Sequence, residues 1–471
     1  MADLSTTFAE RIFAIEPAAL KRTDYEQVAR LLFDAAACAY GGTQQQTVSA
    51  LTRWVAAFDG AGRSGVVASG LRVPASYAAL VNGTATHSYE IDDTHDASLS
   101  HPASVIIPAA LAVAAERNSS GAEFVAAIIA GYEAMTRIGV AANASHVIEY
   151  GWHPTALFGV FGATAAAAKL MGLDSGGLRC AWGHALSMAS GAMQFSDETT
   201  GTAVKRLHAG FAAQQGVLAV QLAVAGIEGP QRALDGKYGF FKLYGRDPRP
   251  EYLHETHAQF AIHDISFKPY ACCRQFHSMI DGLRETTDNF VKTSSIKSIT
   301  VRGPRVLSDQ HMLRRPDSPM AAQYSLPFVV GATLEFGPTG FNAFALDHLS
   351  DAKILRWADL VQVEYDDDLQ RQYPAHFGTE VEIGFADGAT RKQRLLDSLG
   401  TRARPFTWDY LREKANSLTA RCRPILDLDR LRTAVQELPN ANDISLLDGL
   451  LMGDATQRAG ERPACRVSIP V

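Results

Sequence analysis

Apolar residues in the first half of the chain return at helical spacing. Thr23-Asp24-Tyr25-Glu26 has the spacing of a capping box, in which Thr23 covers free N–H groups and Glu26 reaches back. Behind it Val28, Leu31, Leu32, Ala35 and Ala39 recur every three or four positions, and Gly41-Gly42 closes the run. The same periodicity predicts helices at about 47–58, 74–88, 103–117, 121–142, 155–171 and 211–226. These segments are rich in alanine with scattered glycine, as in Phe161-Gly162-Ala163-Thr164-Ala165-Ala166-Ala167-Ala168. Small residues let helix backbones approach closely, so a compact all-α bundle is expected. No segment repeats at a constant period, which argues against a solenoid.

Near residue 265 the pattern changes. Residues 296–301 and 360–365 alternate or run apolar as strands do, and 381–388 ends in the Asp387-Gly388 signal of a hairpin with a return strand after it. Residues 279–286 and 326–334 read as helices between them, and helices return at 408–419, 427–437 and 444–451. The expected architecture is mainly α. A large all-α helical domain (1–265) is interrupted by a smaller α+β lid domain (266–400), and C-terminal helices (401–471) return to the helical part.

Length and composition narrow the partners. With 471 residues, the chain is long enough for two or three folding units at roughly 150 residues each. Apolar residues make up 47% and charged residues 20%, and the net charge is −6 without any basic run. Phosphate backbones demand a concentrated cationic surface, so no nucleic-acid partner is expected. The first residues show no secretory pattern, and the apolar stretches, such as 103–115, stop short of the ~20 residues a bilayer span needs. A cytoplasmic protein with no membrane partner is therefore the expectation. The 6 cysteines contain no CxxC pair, so neither structural zinc nor an iron–sulfur cluster has its usual ligand spacing. No metal and no cofactor are expected.

Four polar clusters could carry chemistry. The densest is His87-Ser88-Tyr89-Glu90-Ile91-Asp92-Asp93-Thr94-His95, followed by His101-Pro102. On a continuing helix Glu90, Asp93 and Thr94 share one face while Asp92 points elsewhere. Alone, the cluster is as readable as a solvated helix end, and a zinc site on His95 and His101 is weaker still. Lys205-Arg206-Leu207-His208 lies between Gly201 and Gly210, just ahead of a predicted helix, where cations and a helix N-terminus together suit an anion. It lacks the phosphate-loop pattern, and a basic surface turn is the plain alternative. Phe267-Lys268-Pro269-Tyr270, with His277 beyond it, falls at the expected domain junction, a favoured place for ligands. In Gly151-Trp152-His153-Pro154 the histidine begins a helix, whose dipole would keep it neutral, although capping or packing explains it equally.

Taken together, His87…Glu90-Ile91-Asp92-Asp93-Thr94…His101-Pro102, Gly151-Trp152-His153-Pro154-Thr155, Lys205-Arg206-Leu207-His208-Ala209-Gly210, Lys268-Pro269-Tyr270…His277 and Ala322-Gln323-Tyr324-Ser325-Leu326-Pro327-Phe328 resemble, in order, the MmgE/PrpD family of 2-methylcitrate dehydratase, cis-aconitate decarboxylase and iminodisuccinate epimerase. The resemblance implies a homodimer, cofactor-free catalysis, and an active site between a helical domain and a lid. It carries the family's site residues onto Glu90, Thr94, His101, His153, Lys205 and Lys268. Glu90 stands where many members have Asp, and Phe328 where the vertebrate decarboxylases have a Tyr. The Lys-Arg-x-His-x-Gly form is closer to the decarboxylase and epimerase branches.

All three family activities move a proton at a carbon beside a carboxylate. The expectation is a lyase, a dehydratase or decarboxylase of a small di- or tricarboxylate, with an epimerase of an amino- or imino-dicarboxylate as the alternative and a non-catalytic helical scaffold as the third reading. His101, His153, Lys205 and Lys268 are the candidate catalytic groups, and Glu90, Asp93, Thr94, Arg206 and His208 the candidate substrate-binding ones. Glu90, Asp93 and Thr94 are expected in one cleft with Lys205 and His153, with Lys268 at the hinge.

Overall fold

A computed structural model describes residues 3–196, 203–290, 293, 295–337 and 341–453. It is mostly helical, with a small mixed sheet in the C-terminal region. The helical core is built around Pro154–Leu170, buried along almost its whole length against Gly121–Ala141, Ala103–Arg117 and Val204–Val224. Glycine decides one crossing. A Cβ on Gly210 would lie 2.3 Å from the Leu80 carbonyl oxygen, and one on Gly83 3.0 Å from the Gly210 Cα. Only bare backbone lets Ala75–Thr86 and Val204–Val224 meet so closely. That contact brings the end of the first helix, at His87, beside Lys205 and Arg206 in the first turn of the second.

Several local expectations change. The helix over Arg22–Gly42 is capped by Asp24, whose carboxylate accepts the Lys21 N–H at 2.8 Å, and not by Thr23 and Glu26. The helix expected at 211–226 starts at Val204, so the basic cluster lies within the start of the helix and not in a surface turn ahead of it. The helices Leu4–Phe13, Ser175–Met188 and Ala352–Leu360 had no sequence expectation. By length and composition Gly121–Ala141 is apolar enough to cross a bilayer, longer than the expected apolar stretches, yet it is almost wholly buried within the protein.

The sheet runs Val361–Tyr365, Ile296–Gly303, Thr379–Phe385, Thr390–Leu395. The first pair is parallel, crossing over through Leu326–Phe336 and Ala352–Leu360, which pack on each other; the others are antiparallel. Ile299, Val301, Val381 and Ile383 are fully buried, and His277–Thr286 packs against the two strands of the hairpin. The chain enters this region beside the point where it leaves. The Phe267 N–H donates to the Gly400 carbonyl at 2.9 Å, and Gly400, at φ +91°, sits where a Cβ would be 2.0 Å from the Phe267 oxygen. Beyond it, Trp408–Thr419 packs on Arg22–Gly42, with Lys414 Nζ 2.6 Å from Asp34 Oδ1 and 2.6 Å from the Ile91 carbonyl oxygen.

Candidate active site

The helix Ala75–Thr86 ends at His87, and the chain then turns through Glu90 at φ +57°, a left-handed conformation unusual for a glutamate. The helical face expected for Glu90, Asp93 and Thr94 therefore does not exist. The turn aims Glu90 into a buried cage. Its Oε1 accepts hydrogen bonds from Lys205 Nζ and Arg206 Nη1, Lys268 Nζ stands 3.5 Å from Oε2, and the Tyr324 hydroxyl donates to Oε2 at 3.1 Å. Gln323 braces the cage: its Oε1 accepts from Arg206 Nη2 at 2.8 Å, and its amide donates to the Tyr89 and Ala271 carbonyls at 3.1 and 2.7 Å. Burial alone would raise the Glu90 pKa, but Lys205, Arg206 and Lys268 outweigh it and hold the carboxyl well below its usual range. Burial, against the pull of Glu90, pushes Lys205 down to about 8.

Lys268 is fully buried, and its ammonium has no hydrogen-bond acceptor beyond the long approach to Glu90. Three donors are thus left unsatisfied in a closed site, an arrangement costly unless a further acceptor arrives.

Four histidines adjoin the cage. His101 Nδ1 lies 2.7 Å from the Asp93 carbonyl oxygen, which can only accept, so Nδ1 carries the proton. Burial, opposed by Asp92, pushes this imidazole down to about 4, leaving it neutral with a lone pair on Nε2. His153 is the N-cap of Pro154–Leu170, and its Nδ1 lies 3.1 Å from Nδ1 of His208, so one ring donates to the other. Burial first, then Lys205, holds His153 well below the ordinary histidine range. Burial and nearby His87 and Lys205 take His208 to about 4. The fully buried His87 shares its Nδ1 proton with Asp92 Oδ2 at 2.8 Å, and its ring centroid is 5.0 Å from His101 and 6.0 Å from His153. The Asp92 carboxyl lies well below the carboxylate range: burial opposes this, but His87, through its proximity and its hydrogen bond, prevails.

The structure thus brings Glu90, Lys205, Arg206, Lys268, His101, His153 and His208 together. Two expected residues make their side-chain hydrogen bonds outside the cage. Both Asp93 oxygens are spent, accepting from the Ala103 N–H at 2.8 Å and the Tyr132 hydroxyl at 2.9 Å; without a cation beside it, its pKa is raised well above normal, first by burial. The Thr94 hydroxyl donates to the Ser100 carbonyl at 3.3 Å. His95 turns to Ser98 and does not join His101. Among the described residues, His87, Asp92 and His101 are close enough together to suggest a cation site. The nitrogens nearest Asp92, however, are Nδ1 of His87 at 2.8 Å and of His101 at 3.9 Å, and both carry protons given to oxygen. That donor set does not fit a metal. His87, Asp92, Gln323 and Tyr324 were not expected as site residues. Phe328 is buried in the core near Phe344, and the tyrosine hydroxyl of the site comes from Tyr324.

Two family domains match the chain. The MmgE/PrpD N-terminal domain matches residues 6–253 and the MmgE/PrpD C-terminal domain residues 270–439. The chain belongs to the MmgE/PrpD family. Within that family it is similar to human cis-aconitate decarboxylase, with 29% identity covering 85% of this chain and 84% of the relative. Cis-aconitate decarboxylase of Aspergillus terreus is 26% identical over 90% of this chain and 91% of its own. The cis-aconitate decarboxylase-like protein oryM of Aspergillus oryzae is 26% identical over 93% and 95%. Both MmgE/PrpD domains contribute to the cage, Lys205 and Glu90 from the first match and Tyr324 from the second.

Proposed function

We propose that this MmgE/PrpD protein is a cofactor-free carboxy-lyase acting on a small unsaturated tricarboxylate of the cis-aconitate kind. The observation that carries the reading is the unsatisfied Lys268 ammonium in a cage of three cations with one carboxylate, Glu90, among them. Such a site is short of negative charge, and a polycarboxylate supplies it. Names and coverage of the relatives support decarboxylation over the other family chemistries.

The chemistry follows from the charge. When the bond from carbon to a carboxylate breaks, CO2 leaves and the electron pair moves through the adjacent double bond onto a carbon beside a second carboxylate. That carbon takes one proton, so a tricarboxylate and H⁺ become a dicarboxylate and CO2. Lys205, Arg206 and Lys268 stabilise the charge as it spreads onto the second carboxylate, most strongly where water is excluded. Neutral His101, with its free Nε2, favours a second reading in which a proton is first removed from carbon, as in dehydration or epimerisation.

Incubating the enzyme with cis-aconitate, 2-methylcitrate and iminodisuccinate in deuterated water, followed by proton NMR and CO2 trapping, tests both. CO2 with a deuterated dicarboxylate product is expected. Loss of water from 2-methylcitrate, or deuterium uptake into an unchanged skeleton, would move the assignment to the second reading. No reaction with any of them would leave the scaffold reading.

The proposal includes a homodimer. Val204, Leu218 and Val224 of the helix Val204–Val224, with Ile227 after it, are exposed apolar side chains. Light scattering should find twice the 50.8 kDa chain mass.

A further inference from the structure

We propose that His87, charged through Asp92, is the acid that delivers the proton to the substrate carbon. The inference rests on the carboxy-lyase reading above, whose product needs a proton, and the one proton of neutral His101 is committed to the Asp93 carbonyl.

Geometry singles out His87. His101 has committed its one proton to the Asp93 carbonyl, and His153 and His208 face each other through Nδ1 beside the Lys205 ammonium. In this group only His87 hydrogen-bonds a carboxylate, and that carboxylate, Asp92, is fully buried and has no cation as close as this ring. A carboxylate at 2.8 Å stabilises an imidazolium against its neutral form. The backbone adds to it: His87 is the C-cap of Ala75–Thr86, the negative end of the helix dipole. Lys205, Arg206 and Lys268 oppose the charge, while Glu90 lies among them and offsets part of their field. His101 and His153, the neighbouring rings at 5.0 and 6.0 Å, add no charge while neutral.

The second observation is His87 Nε2. It is buried and has no hydrogen-bond partner, on a ring that is itself fully buried. A buried N–H without an acceptor is costly to keep, so a native site that keeps one points it at something that arrives later. With Nδ1 tied to Asp92, Nε2 is the free end of a ring whose centroid is 5.0 Å from that of His101 and 6.0 Å from that of His153. In the step itself the Nε2–H bond breaks, a C–H bond forms at the carbon beside the second carboxylate, and the imidazole is left neutral. It regains a proton from water when the product departs.

The test has one readout that needs no substrate. In enzyme labelled with ¹⁵N-histidine, the His87 signals are assigned by their loss in His87→Asn. At pH 7 both nitrogens should be protonated, and Asp92→Asn should convert the ring to a neutral tautomer. In turnover, His87→Asn and His87→Gln should lower kcat about 100-fold with little change in KM, the scale of a lost general acid. Asp92→Asn should lower kcat as well, and circular dichroism should show all three variants folded. A neutral His87 in the wild type would overturn the dyad while leaving the lyase reading standing, as would unchanged kcat in a folded His87→Gln. A charged His87 in an enzyme that turns over no polycarboxylate would overturn the lyase reading and with it the proton transfer.

Discussion

At the scale of single residues, the site is a contest between burial and charge. Lys205 shows it best. Burial brings its pKa to about 8, so it loses its proton as pH rises through that value, and with it the charge that would hold a carboxylate. His101, at about 4, stays neutral across the whole neutral range. The pH profile of kcat/KM should therefore fall on the alkaline side near 8, and Lys205→Arg should move that limb upward, because arginine does not titrate there. Lys205→Met should cut kcat/KM by about 100-fold or more, as lost electrostatic groups do. Dialysis against EDTA should leave turnover unchanged, because the nitrogens around Asp92 carry protons and are not free to ligate; activity restored by one particular metal would refute this. Two adjacent cations between glycines made Lys205 and Arg206 legible in the sequence, and the expected domain junction did the same for Lys268. The exchange of Asp93 for Asp92 was not legible, since it follows from a single backbone angle. Extending the helix through Thr94 sets one phase, and the left-handed turn at Glu90 sets another. Tyr324 was hidden in the same way. Ser325 caps the next helix, which leaves Tyr324 outside it and facing Glu90, while Phe328 turns into the core.

At the scale of elements, periodicity revealed the long helices because their apolar positions repeat, and it failed where buried charge interrupts the repeat. The start of Val204–Val224 holds Lys205, Arg206 and His208, all buried; periodicity alone does not show that Glu90, over 100 residues away, offsets their charge, although motif order and charge balance put it in one cleft with Lys205. The approach of Gly83 to Gly210 was equally invisible. Gly210→Ala should force the two helices apart, with a loss of about 1–3 kcal/mol in denaturant melts. Activity should fall further than that loss explains, because Lys205 and Glu90 ride on opposite sides of the crossing. The C-terminal helix Trp408–Thr419 offers a cleaner case. Lys414 joins Asp34 to the carbonyl of Ile91, inside the loop that carries Glu90 and Asp92. Lys414→Met leaves Asp34 buried without its cation, so a loss of about 3–5 kcal/mol is expected. Asp34→Leu combined with Lys414→Met removes both charges and should recover much of it in the same melts. Equal losses in the single and double variants would show that the pair adds nothing beyond packing.

At the scale of the whole molecule, the site is assembled from segments far apart in sequence and then closed. Lys268 and His87 are at 0% exposure and Glu90 at 1%, so the conformation described here admits no substrate without movement. We expect it at the adjoining segments of Phe267 and Gly400, where the chain enters and leaves the sheet region. Gly400→Ala would press a methyl group onto the Phe267 carbonyl, one residue from Lys268. Its KM should rise and its kcat fall together. Closure also bears on how this enzyme could be tagged. An amine near pKa 8 is a good nucleophile at neutral pH, yet a sealed one meets no reagent from bulk solvent. An activated ester built on a polycarboxylate would be carried in by the cage itself and find Lys205 waiting, while surface lysines, lacking the partnering cations, would have no means of concentrating it. The burial that conceals the residue is then what would let a covalent probe single it out.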